Sequence, residues 1–418
     1  MKTGGIIAAL AMVLMVESCE GVRNGIEVSN STDRDRREVV TVSLTSKEAG
    51  KFAGKAVTIK DAAGKQVDYQ VTQDRALIFV ADVKARSKAT YRIVGEKPEE
   101  MKTLATGKVY ANRLDDIAWE NDKIAFRAYG PALQARGEKA YGYDIWVKNT
   151  EEPVVDARYA KHLDPATNNT IDSLRRTGNP EDRRAANRLR DETSYHNDHG
   201  DGLDCYSVGP TLGGGASALM LGDSILYPYC YQTYEILENG PLRFRVRLTY
   251  EPKHIGEMRV TEVRTITLDA ESRLNHTVVE YKGVKEGTEV VAGPVVHHSD
   301  GGEYFADVEK GVVGYEDPTD RRNGESGKIY VGAVFVQKLS DARLVLFGEA
   351  EAKERGAFGH VLGMREMFEG ESLDYYWGAA WSEAGMDSIG EWRKYLEEYA
   401  ANLKEPMKAK MVSISNEQ

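Results

Sequence analysis

Hydrophobic and polar residues alternate with a period of two through most of this 418-residue chain. Between residues 38 and 98 the alternation occurs in short runs, such as EVVTVSL and ALIFVADV, separated by turn sequences such as DAAGK. Short alternating runs with turns between them predict a small all-β sandwich over residues 38–98. The polar sequence EKPEEMK that follows is predicted to be a domain boundary.

Longer alternating runs occupy residues 99–410, among them LRFRVRLTYE, MRVTEVRTITLD and LNHTVVEYKG. No βαβ rhythm separates them, which disfavours a parallel doubly wound sheet. Many antiparallel strands over a region of this length predict a large double-sheet sandwich. The chain is therefore expected to be mainly β, with a small β-sandwich followed by a large antiparallel one.

Two segments have a helical character instead. Residues 387–403 begin with a capping box at Ser388 and Glu391, which predicts a C-terminal helix. Its apolar stripe, which is expected to dock on the body, consists of Ile389, Trp392, Leu396, Tyr399 and Leu403. The segment 156–194 is long, polar and rich in arginine, and it is interpreted either as a functional loop or lid or as a solvated excursion.

The N-terminus resembles an export signal. Lys2 precedes an apolar run that ends at Val16, too short to span a bilayer but typical of a signal peptide. The position of Cys19 resembles a bacterial lipoprotein signal over residues 1–19, in which Cys19 would be lipidated; the alternative is an ordinary signal peptide with an incidental cysteine. Residues 20–37 are predicted to be a flexible linker. Either way, we expect export to the periplasm or to the outer membrane or cell surface, with a lipid anchor as the membrane contact.

The net charge of −11 and the pI near 5.4 argue against a nucleic-acid-binding protein, which would present a basic face. Outside the leader the chain has two cysteines, Cys205 and Cys230. In an oxidising periplasm they could form a disulfide, or both could be buried thiols. The composition leaves the oligomeric state open.

The first stretch with dense chemistry is YHNDHGDGLDCYSVGPTLGGG, residues 195–215. Its glycines match neither a Walker A loop nor G-x-G-x-x-G, which disfavours nucleotide binding. His196 and His199 form H-x-x-H beside several aspartates, which keeps a divalent metal open as an alternative, although no cofactor is expected. General acid/base chemistry is favoured, because histidine titrates near neutrality and a carboxylate can hold its ring in one tautomer.

A second such stretch, GPVVHHSDGGEY, contains two adjacent histidines, and GAFGHVLG contributes another. We expect the two glycine-rich runs to form opposite walls of one sugar site. The predicted catalytic residues are His199, His297, His298, Asp201, Asp204 and Tyr206. The predicted substrate-binding residues are Arg127, Tyr129, Tyr143, Trp146, His196, Asp300, Glu303, His360 and Trp377. The aromatic members could stack on sugar rings, and Arg127 could neutralise a substrate carboxylate.

The run PLRFRVRLTYE alternates strictly, so that Arg243, Arg245 and Arg247 share one face of a strand. Such a face could bind uronic acids, because guanidinium groups pair bidentately with carboxylates. The alternative is a solvated face balanced by glutamates of a neighbouring strand.

Several motifs together resemble a domain-of-unknown-function family of secreted bacterial proteins of similar length. They are FRAYGPALQ, YGYDIWVKN, YHNDHGDGLDCYSVGPTLGGGASAL, ENGPLRFRVRLTYE and YYWGAAWSEAG. Members are typically encoded in polysaccharide-utilisation loci, including loci for uronate-containing glycans. The resemblance covers residues 38–410 and implies a galactose-mutarotase-like β-supersandwich. That superfamily includes mutarotases, polysaccharide lyases and glycosidase accessory domains, so the fold alone does not name the reaction.

These observations predict an exported carbohydrate-active protein, with residues 99–410 as the carbohydrate-active domain. Its expected substrate is an acidic, uronate-containing oligosaccharide, cleaved by lyase or hydrolase chemistry. The alternatives are a non-catalytic glycan-binding lipoprotein and a mutarotase or epimerase.

Overall fold

A computed structural model of the chain describes residues 24–319, 326–368 and 370–414. Strands account for 43% of the protein and helices for 20%, and the sheets are antiparallel, so the prediction of a mainly β fold is confirmed. The proposed leader and its Cys19 lie outside the described residues, and the lipid anchor stays a prediction. No helix within the described ranges is long and apolar enough to cross a membrane.

The first elements in chain order are β1 (Gly25–Ser29), β2 (Arg36–Ser43), α1 (Ser46–Ala53), β3 (Thr58–Lys60), β4 (Gln66–Val67), β5 (Tyr69–Val71), β6 (Ala76–Val83) and β7 (Lys88–Val94). Next come β8 (Ala105–Tyr110), β9 (Asp116–Asn121), β10 (Ile124–Ala128), α2 (Pro131–Ala135), β11 (Tyr143–Lys148), α3 (Val155–His162), α4 (Pro165–Arg176), α5 (Pro180–Thr193) and β12 (Gly202–Asp204). They are followed by β13 (Ser217–Leu221), β14 (Ser224–Leu226), β15 (Tyr231–Asn239), β16 (Arg243–Tyr250), β17 (Lys253–Ile255), β18 (Met258–Asp269), β19 (Leu274–Lys282), β20 (Thr288–Ala292) and β21 (Val295–Val296). The last are β22 (Tyr304–Asp307), β23 (Val312–Asp317), β24 (Ile329–Phe335), β25 (Asp341–Leu346), α6 (Glu349–Arg355), β26 (Gly359–Met367), β27 (Ser372–Trp381), α7 (Ile389–Lys404) and β28 (Lys408–Val412).

The N-terminal part is a small sandwich with strand orders β28-β1-β7-β3-β4 and β2-β6-β5. Its own apolar core lies between the two sheets and includes Ile26, Phe79 and Tyr91. The predicted linker over residues 20–37 is wrong from residue 25 onward, because Ile26 and Val28 of β1 are fully buried in this core. The sandwich is completed by β28, which pairs with β1 from the far end of the chain.

The larger part contains a six-stranded sheet with the path β14-β13-β20-β26-β21, in which β25 also pairs with β26. It also contains a nine-stranded sheet with the path β15-β16-β18-β19-β27-β24-β23-β22, in which β17 also pairs with β18. The inner faces of these sheets share one large core with the sheet β8–β12. On the outer face of the nine-stranded sheet, α7 buries Trp392 and Leu396. As predicted, Ser388 caps this helix by accepting the N–H of Glu391 at 3.2 Å.

The segment 156–194 forms the three helices α3–α5. Glu120 of β9 accepts the N–H of Val155 at the start of α3, at 2.8 Å. Asp164 and Asn179 cap α4 and α5, and a proline follows each of them at the start of its helix. Of these helices, α3 packs on one face of the sheet β8–β12 through Val155 and Tyr159, while α5 packs on α3 and α4. The segment is therefore helical, and α4 and α5 expose most of their residues to solvent.

The alternation along β9, β10 and β11 separates two kinds of side chain. One face of the sheet packs Trp119, Phe126 and Tyr143 into the large core. The opposite face, beneath α3–α5, consists largely of charged residues that are all buried: Asp116, Glu120, Arg127, Asp144, Lys148 and Asp204. Burying so many charges is costly unless they are paired, which makes this face a candidate for function.

Candidate active site

The most suggestive contact in the protein joins His297, just after β21, to Asp317 at the end of β23. Nδ1 of His297 lies 2.6 Å from Oδ2 of Asp317, whose side chain is 1% exposed. Burial lowers the pKa of His297, but the charge and hydrogen bond of Asp317 outweigh it, so the pKa is raised above its usual value. Because the carboxylate accepts a hydrogen bond from Nδ1–H, neutral His297 has its free lone pair on Nε2. No residue in the described ranges forms a hydrogen bond with that Nε2 atom.

Tyr315, also in β23, holds the backbone of the same loop. Its hydroxyl oxygen accepts the N–H groups of His297 and His298 at 3.0 and 3.1 Å. The same oxygen lies 2.7 Å from Nδ1 of His298. Since the hydroxyl has one proton to donate, neutral His298 accepts it at Nδ1 and keeps its own N–H at Nε2. The two adjacent histidines are therefore prepared for opposite roles, His297 as an acceptor and His298 as a donor.

Tyr206, which follows β12, faces His297. The two ring centroids are 6.0 Å apart and the ring planes are nearly perpendicular, at 79°. The Tyr206 hydroxyl is buried and has no hydrogen-bond partner among the described residues. Burial, reinforced by Asp317 and Asp144, raises the pKa of Tyr206 well above its usual value. The hydroxyl therefore stays protonated near neutral pH, where it can donate a hydrogen bond but cannot act as a base.

The charged face beneath α3–α5 is organised around Arg127. Its Nη2 contacts the carboxylates of Asp144 and Asp204, the latter at 3.0 Å. The guanidinium also lies over the rings of Tyr129 and Trp146, about 5 Å from each centroid. Because two buried carboxylates already neutralise it, the structure does not support the predicted role of Arg127 in binding a substrate carboxylate. It instead holds Asp204, and with it the end of β12, against the sheet.

Asp116 adds a third carboxylate to this face. It is fully buried, and neither side-chain oxygen has a hydrogen-bond partner among the described residues. Its nearest cations are Arg113 at 3.7 Å and Arg127 at 3.9 Å. Burial outweighs both and raises the pKa of Asp116 from 3.8 to about 6. An unsatisfied buried carboxyl of this kind is expected to be protonated over part of the physiological range.

The first glycine-rich run is tied mostly to its own backbone. Nδ1 of His196 lies 2.9 Å from the carbonyl oxygen of Asp204, and Nε2 of His199 lies 2.9 Å from that of Ser194. Asp201 accepts a hydrogen bond from Arg158 of α3 at 3.2 Å. His199 is exposed, and no contact joins it to His297 within the described part of the chain. Of this run, the structure brings only Tyr206 to the His297 ring.

Four of the predicted substrate-binding residues lie in the interior. Tyr143 and Trp377 stack on each other at 4.2 Å in the large core, and Trp146 packs beneath α3–α5. His360 is fully buried, accepts the N–H of Leu212 through Nε2, and has its pKa lowered to about 3 by burial. With side chains 0–1% exposed, these residues have no ring face open to a sugar, and direct contact is not supported.

Asp300 and Glu303, predicted in the second wall, are exposed in the loop that leads to β22. Asp300 accepts the N–H of Gly302 at 3.1 Å and shapes the turn after His298. Tyr129 is half-buried with its hydroxyl 3.5 Å from Nη2 of Arg127. Asp300 and Glu303 thus lie in the loop that follows the histidine pair, whereas Tyr129 lies beside Arg127, and no side-chain contact joins any of the three to His297 or His298 within the described part of the chain.

Sequence reasoning missed Asp317, Tyr315, Asp144 and Asp116. The first two lie in VVGYED, a strand that is buried throughout and ends with two carboxylates. Asp144 interrupts the apolar run YDIWVK in the same way. A carboxylate inside or at the end of a buried strand was a usable signal, because such a group is rarely buried without a partner.

Cys205 and Cys230 form no disulfide and are both buried thiols. In the described ranges, no three or more His, Cys, Asp or Glu side chains form a group that could hold a metal ion.

The fold and the site together define a large β-sandwich protein with a histidine–aspartate pair beside a buried tyrosine. The chain belongs to the family described as Domain of unknown function (DUF4861), whose model matches residues 28–409. The chain is also 24% identical over 404 residues to an uncharacterised protein, P7, from Formosa agariphila. The aligned region covers 91% of this chain and 92% of that protein.

Among solved structures, the chain is similar to a protein in glycosyl hydrolase family 38 from Enterococcus faecalis, with a TM-score of 0.45 and 9% identity. A second similar structure is an alpha-mannosidase from Enterococcus faecalis V583, with a TM-score of 0.40 and 9% identity. Each match covers 93% of this chain, but the chain spans about half the length of those proteins, 47% and 46% respectively. Neither likeness is close enough to specify a reaction.

Proposed function

We propose that this protein is an exported carbohydrate-active enzyme that cleaves acidic, uronate-containing oligosaccharides by a lyase reaction. The observation that carries the proposal is the pairing of His297 with Asp317 at 2.6 Å, with Nε2 of the histidine turned away from that bond and Tyr206 facing the ring. An elimination needs a base that is held in position and a protonated acid, both within reach of the same substrate.

In the proposed reaction, His297 Nε2 removes the proton on the sugar carbon next to the uronate carboxylate. The bond from the adjacent carbon to the glycosidic oxygen breaks, and a carbon–carbon double bond forms between the two ring carbons. The Tyr206 hydroxyl protonates the departing oxygen. Solvent then returns a proton to Tyr206 and accepts the proton that His297 removed. His298, with N–H on Nε2, is available to hydrogen-bond the carboxylate whose negative charge grows during proton removal.

Hydrolysis has weaker support. A hydrolase of the usual kind needs two carboxyl groups that flank the scissile bond. Asp317 is committed to His297, and both Asp144 and Asp204 are committed to Arg127. Asp116 lies beside Arg113 and Arg127, and no contact joins it to His297 or Tyr206 within the described part of the chain. The proton-transfer groups that face each other are instead a histidine and a tyrosine, which favours elimination.

The test is an assay of the purified mature protein on a panel of uronate oligosaccharides, with neutral oligosaccharides of equal length as controls. The proposal expects ultraviolet absorbance from an unsaturated product, one new reducing end for each bond cleaved, and neither signal with the neutral set. New reducing ends without absorbance would support hydrolysis instead. If the oligosaccharide binds without any product, and the affinity is unchanged in His297→Gln, a non-catalytic glycan-binding protein would be supported. A faster change of optical rotation in a fresh solution of an α-anomer would support a mutarotase.

A further inference from the structure

A second polar surface lies on the opposite side of the nine-stranded sheet from the histidine pair. Tyr315 and Asp317 belong to the inner face, whose neighbours fill the large core, whereas Val312 and Val334 face outward toward α7. Tyr376 lies opposite Val334 in the strand register and therefore also points outward. A site on this outer face is therefore separate from the histidine pair and does not depend on the proposed reaction.

Four outward-facing residues form one row across four neighbouring strands. Arg245 lies opposite Thr267, Thr267 lies opposite His276, and His276 lies opposite Tyr376. Residues directly opposite each other in an antiparallel sheet point to the same side, about 5 Å apart. The row therefore presents a guanidinium, a hydroxyl, an imidazole and a phenol in sequence.

The row forms the floor of a cleft of about 470 Å³. One wall is β2 of the small sandwich, and the other is α7 with Tyr399 and Asn402. A cleft of this size, at the junction of two packed units and with a few converging polar groups, is typical of a small-ligand site.

Arg245 differs from its two neighbours on the same strand. Arg243 forms a two-pronged contact with Asp269 at 2.6 and 2.8 Å, and Arg247 pairs with Glu235 at 2.6 Å. Arg245 is half-buried and has no ion-pair partner among the described residues.

The carboxylates near Arg245 are already engaged elsewhere. Glu238, its cross-strand neighbour, accepts hydrogen bonds from Gln70 and from the N–H of Gln73. Asp74 accepts a hydrogen bond from the Thr72 hydroxyl, which lowers its pKa, and the charge of Arg245 contributes to the same lowering without forming an ion pair. A half-buried guanidinium that lies near carboxylates but forms no ion pair with them keeps its fork of donors available to an anionic ligand.

The other end of the row offers aromatic surface. His276 and Tyr376 stack with ring centroids 4.5 Å apart and planes within 13°. Nε2 of His276 lies 2.7 Å from Asp374, which fixes the stack, and Tyr399 adds a second ring 5.1 Å from Tyr376. Half-buried amphipathic rings of this kind bind a partly apolar ligand that also has hydroxyl groups.

We propose that this cleft binds an acidic sugar unit, with its carboxylate on Arg245 and its ring against Tyr376 and Tyr399. The site is a second glycan-binding surface on this chain. It holds a uronate-bearing chain on the outer face of the sheet, away from His297.

The test is calorimetric titration of trigalacturonate into protein that also contains His297→Gln, so that turnover cannot consume the ligand. Arg245→Gln is expected to weaken binding roughly tenfold to a hundredfold, because it removes charge-assisted hydrogen bonds. Arg247→Gln on the same face is the matched control and is expected to leave affinity within about twofold, because its arginine is exposed and already paired. Thermal unfolding of each variant checks that it is folded.

Galactotriose, which lacks the carboxylates, is the ligand control. Its affinity for the His297→Gln protein is expected to be as low as the affinity of trigalacturonate for the same protein with Arg245→Gln added. Equal affinity of Arg245→Gln and Arg247→Gln would overturn the proposal, as would equal binding of galactotriose and trigalacturonate. A sulfated galactose trisaccharide that binds as tightly as trigalacturonate would overturn the assignment to a carboxylate. Because these readouts are affinities in a His297→Gln background, they fail or succeed independently of the proposed lyase reaction.

Discussion

The two glycine-rich histidine runs look alike in sequence and are used differently in the fold. In the first run, residues 195–215, His199 bonds to a backbone carbonyl five residues away. In the second run, residues 295–303, His297 bonds to the carboxylate of Asp317, which comes from another strand. The first arrangement shapes a loop, whereas the second prepares a base. A histidine in such a run is therefore a candidate for chemistry when its partner is a buried charge brought by a different element.

The glycines differ in the same way. Gly202 has φ +100°, and a side chain there would meet the carbonyl oxygen of Val147 at 2.1 Å, so this glycine lets β12 approach β11. Gly302 has φ +59°, and a side chain there would lie 2.4 Å from Nδ1 of His298. One glycine serves strand packing, and the other leaves room for an imidazole ring.

The largest expected difference between the runs is in activity. His297→Gln removes the base and is expected to lower kcat/KM on the uronate substrate roughly 10²–10⁴-fold. His199→Gln makes the same chemical change in the first run and is expected to alter it by no more than about twofold, because its side chain is exposed and bonds only to a carbonyl. Initial rates of the two variants against the unmodified protein check this, and an equal loss in both would remove the distinction.

A large loss of stability is expected when the cation that anchors the first run is removed. Arg127→Met leaves Asp116, Asp144 and Asp204 buried without their shared cation and is expected to lower the free energy of unfolding by about 3–5 kcal/mol. Arg247→Met breaks an exposed pair with Glu235 and is expected to lower it by about 1 kcal/mol or less. Urea unfolding followed by circular dichroism compares them. If both variants lost similar stability, the charged face beneath α3–α5 would not be the anchor of the first run.

A smaller effect should appear in the pH dependence of stability. The folded protein holds the Asp116 proton more tightly than the unfolded chain does, because its pKa is raised from 3.8 to about 6. Stability from this group is therefore present below pH 3.8 and is lost as the pH rises through about 6. At about 1.4 kcal/mol per pKa unit, the loss is about 2–3 kcal/mol.

Asp116→Asn is expected to remove that loss, so that its unfolding free energy changes less than that of the unmodified protein across this range. The exposed Asp172→Asn on α4 serves as the control and should follow the unmodified protein. Parallel pH profiles for Asp116→Asn and Asp172→Asn would contradict the assignment.

The predictable part of the fold is the part with strong local patterns. The alternation in β16 correctly predicted that Phe244, Val246 and Leu248 point into the core and that the arginines between them point out. The capping serine and apolar stripe of α7 were equally clear. The pairing of β1 with β28 was not predictable, because both strands are short and their pairing joins opposite ends of the described chain.

The candidate site followed from sequence only in part. His297, His298 and Tyr206 were singled out because their residue types suit proton transfer. Their partners Asp317 and Tyr315 were not, because nothing local links β23 to the loop after β21. The prediction that His199 lies in the same site was also not supported, since the contacts that decide it are long-range.

The most direct test of this account is a histidine NMR titration of the unmodified protein and of Asp317→Asn. We expect neutral His297 to have its proton on Nδ1 and a pKa above the usual value of about 6.5, because Asp317 favours both. In Asp317→Asn the pKa should fall below that of the unmodified protein, because burial then acts without the compensating charge. A neutral His297 with its proton mainly on Nε2, or a pKa that Asp317→Asn leaves unchanged, would contradict the claim that Asp317 prepares His297 as the base.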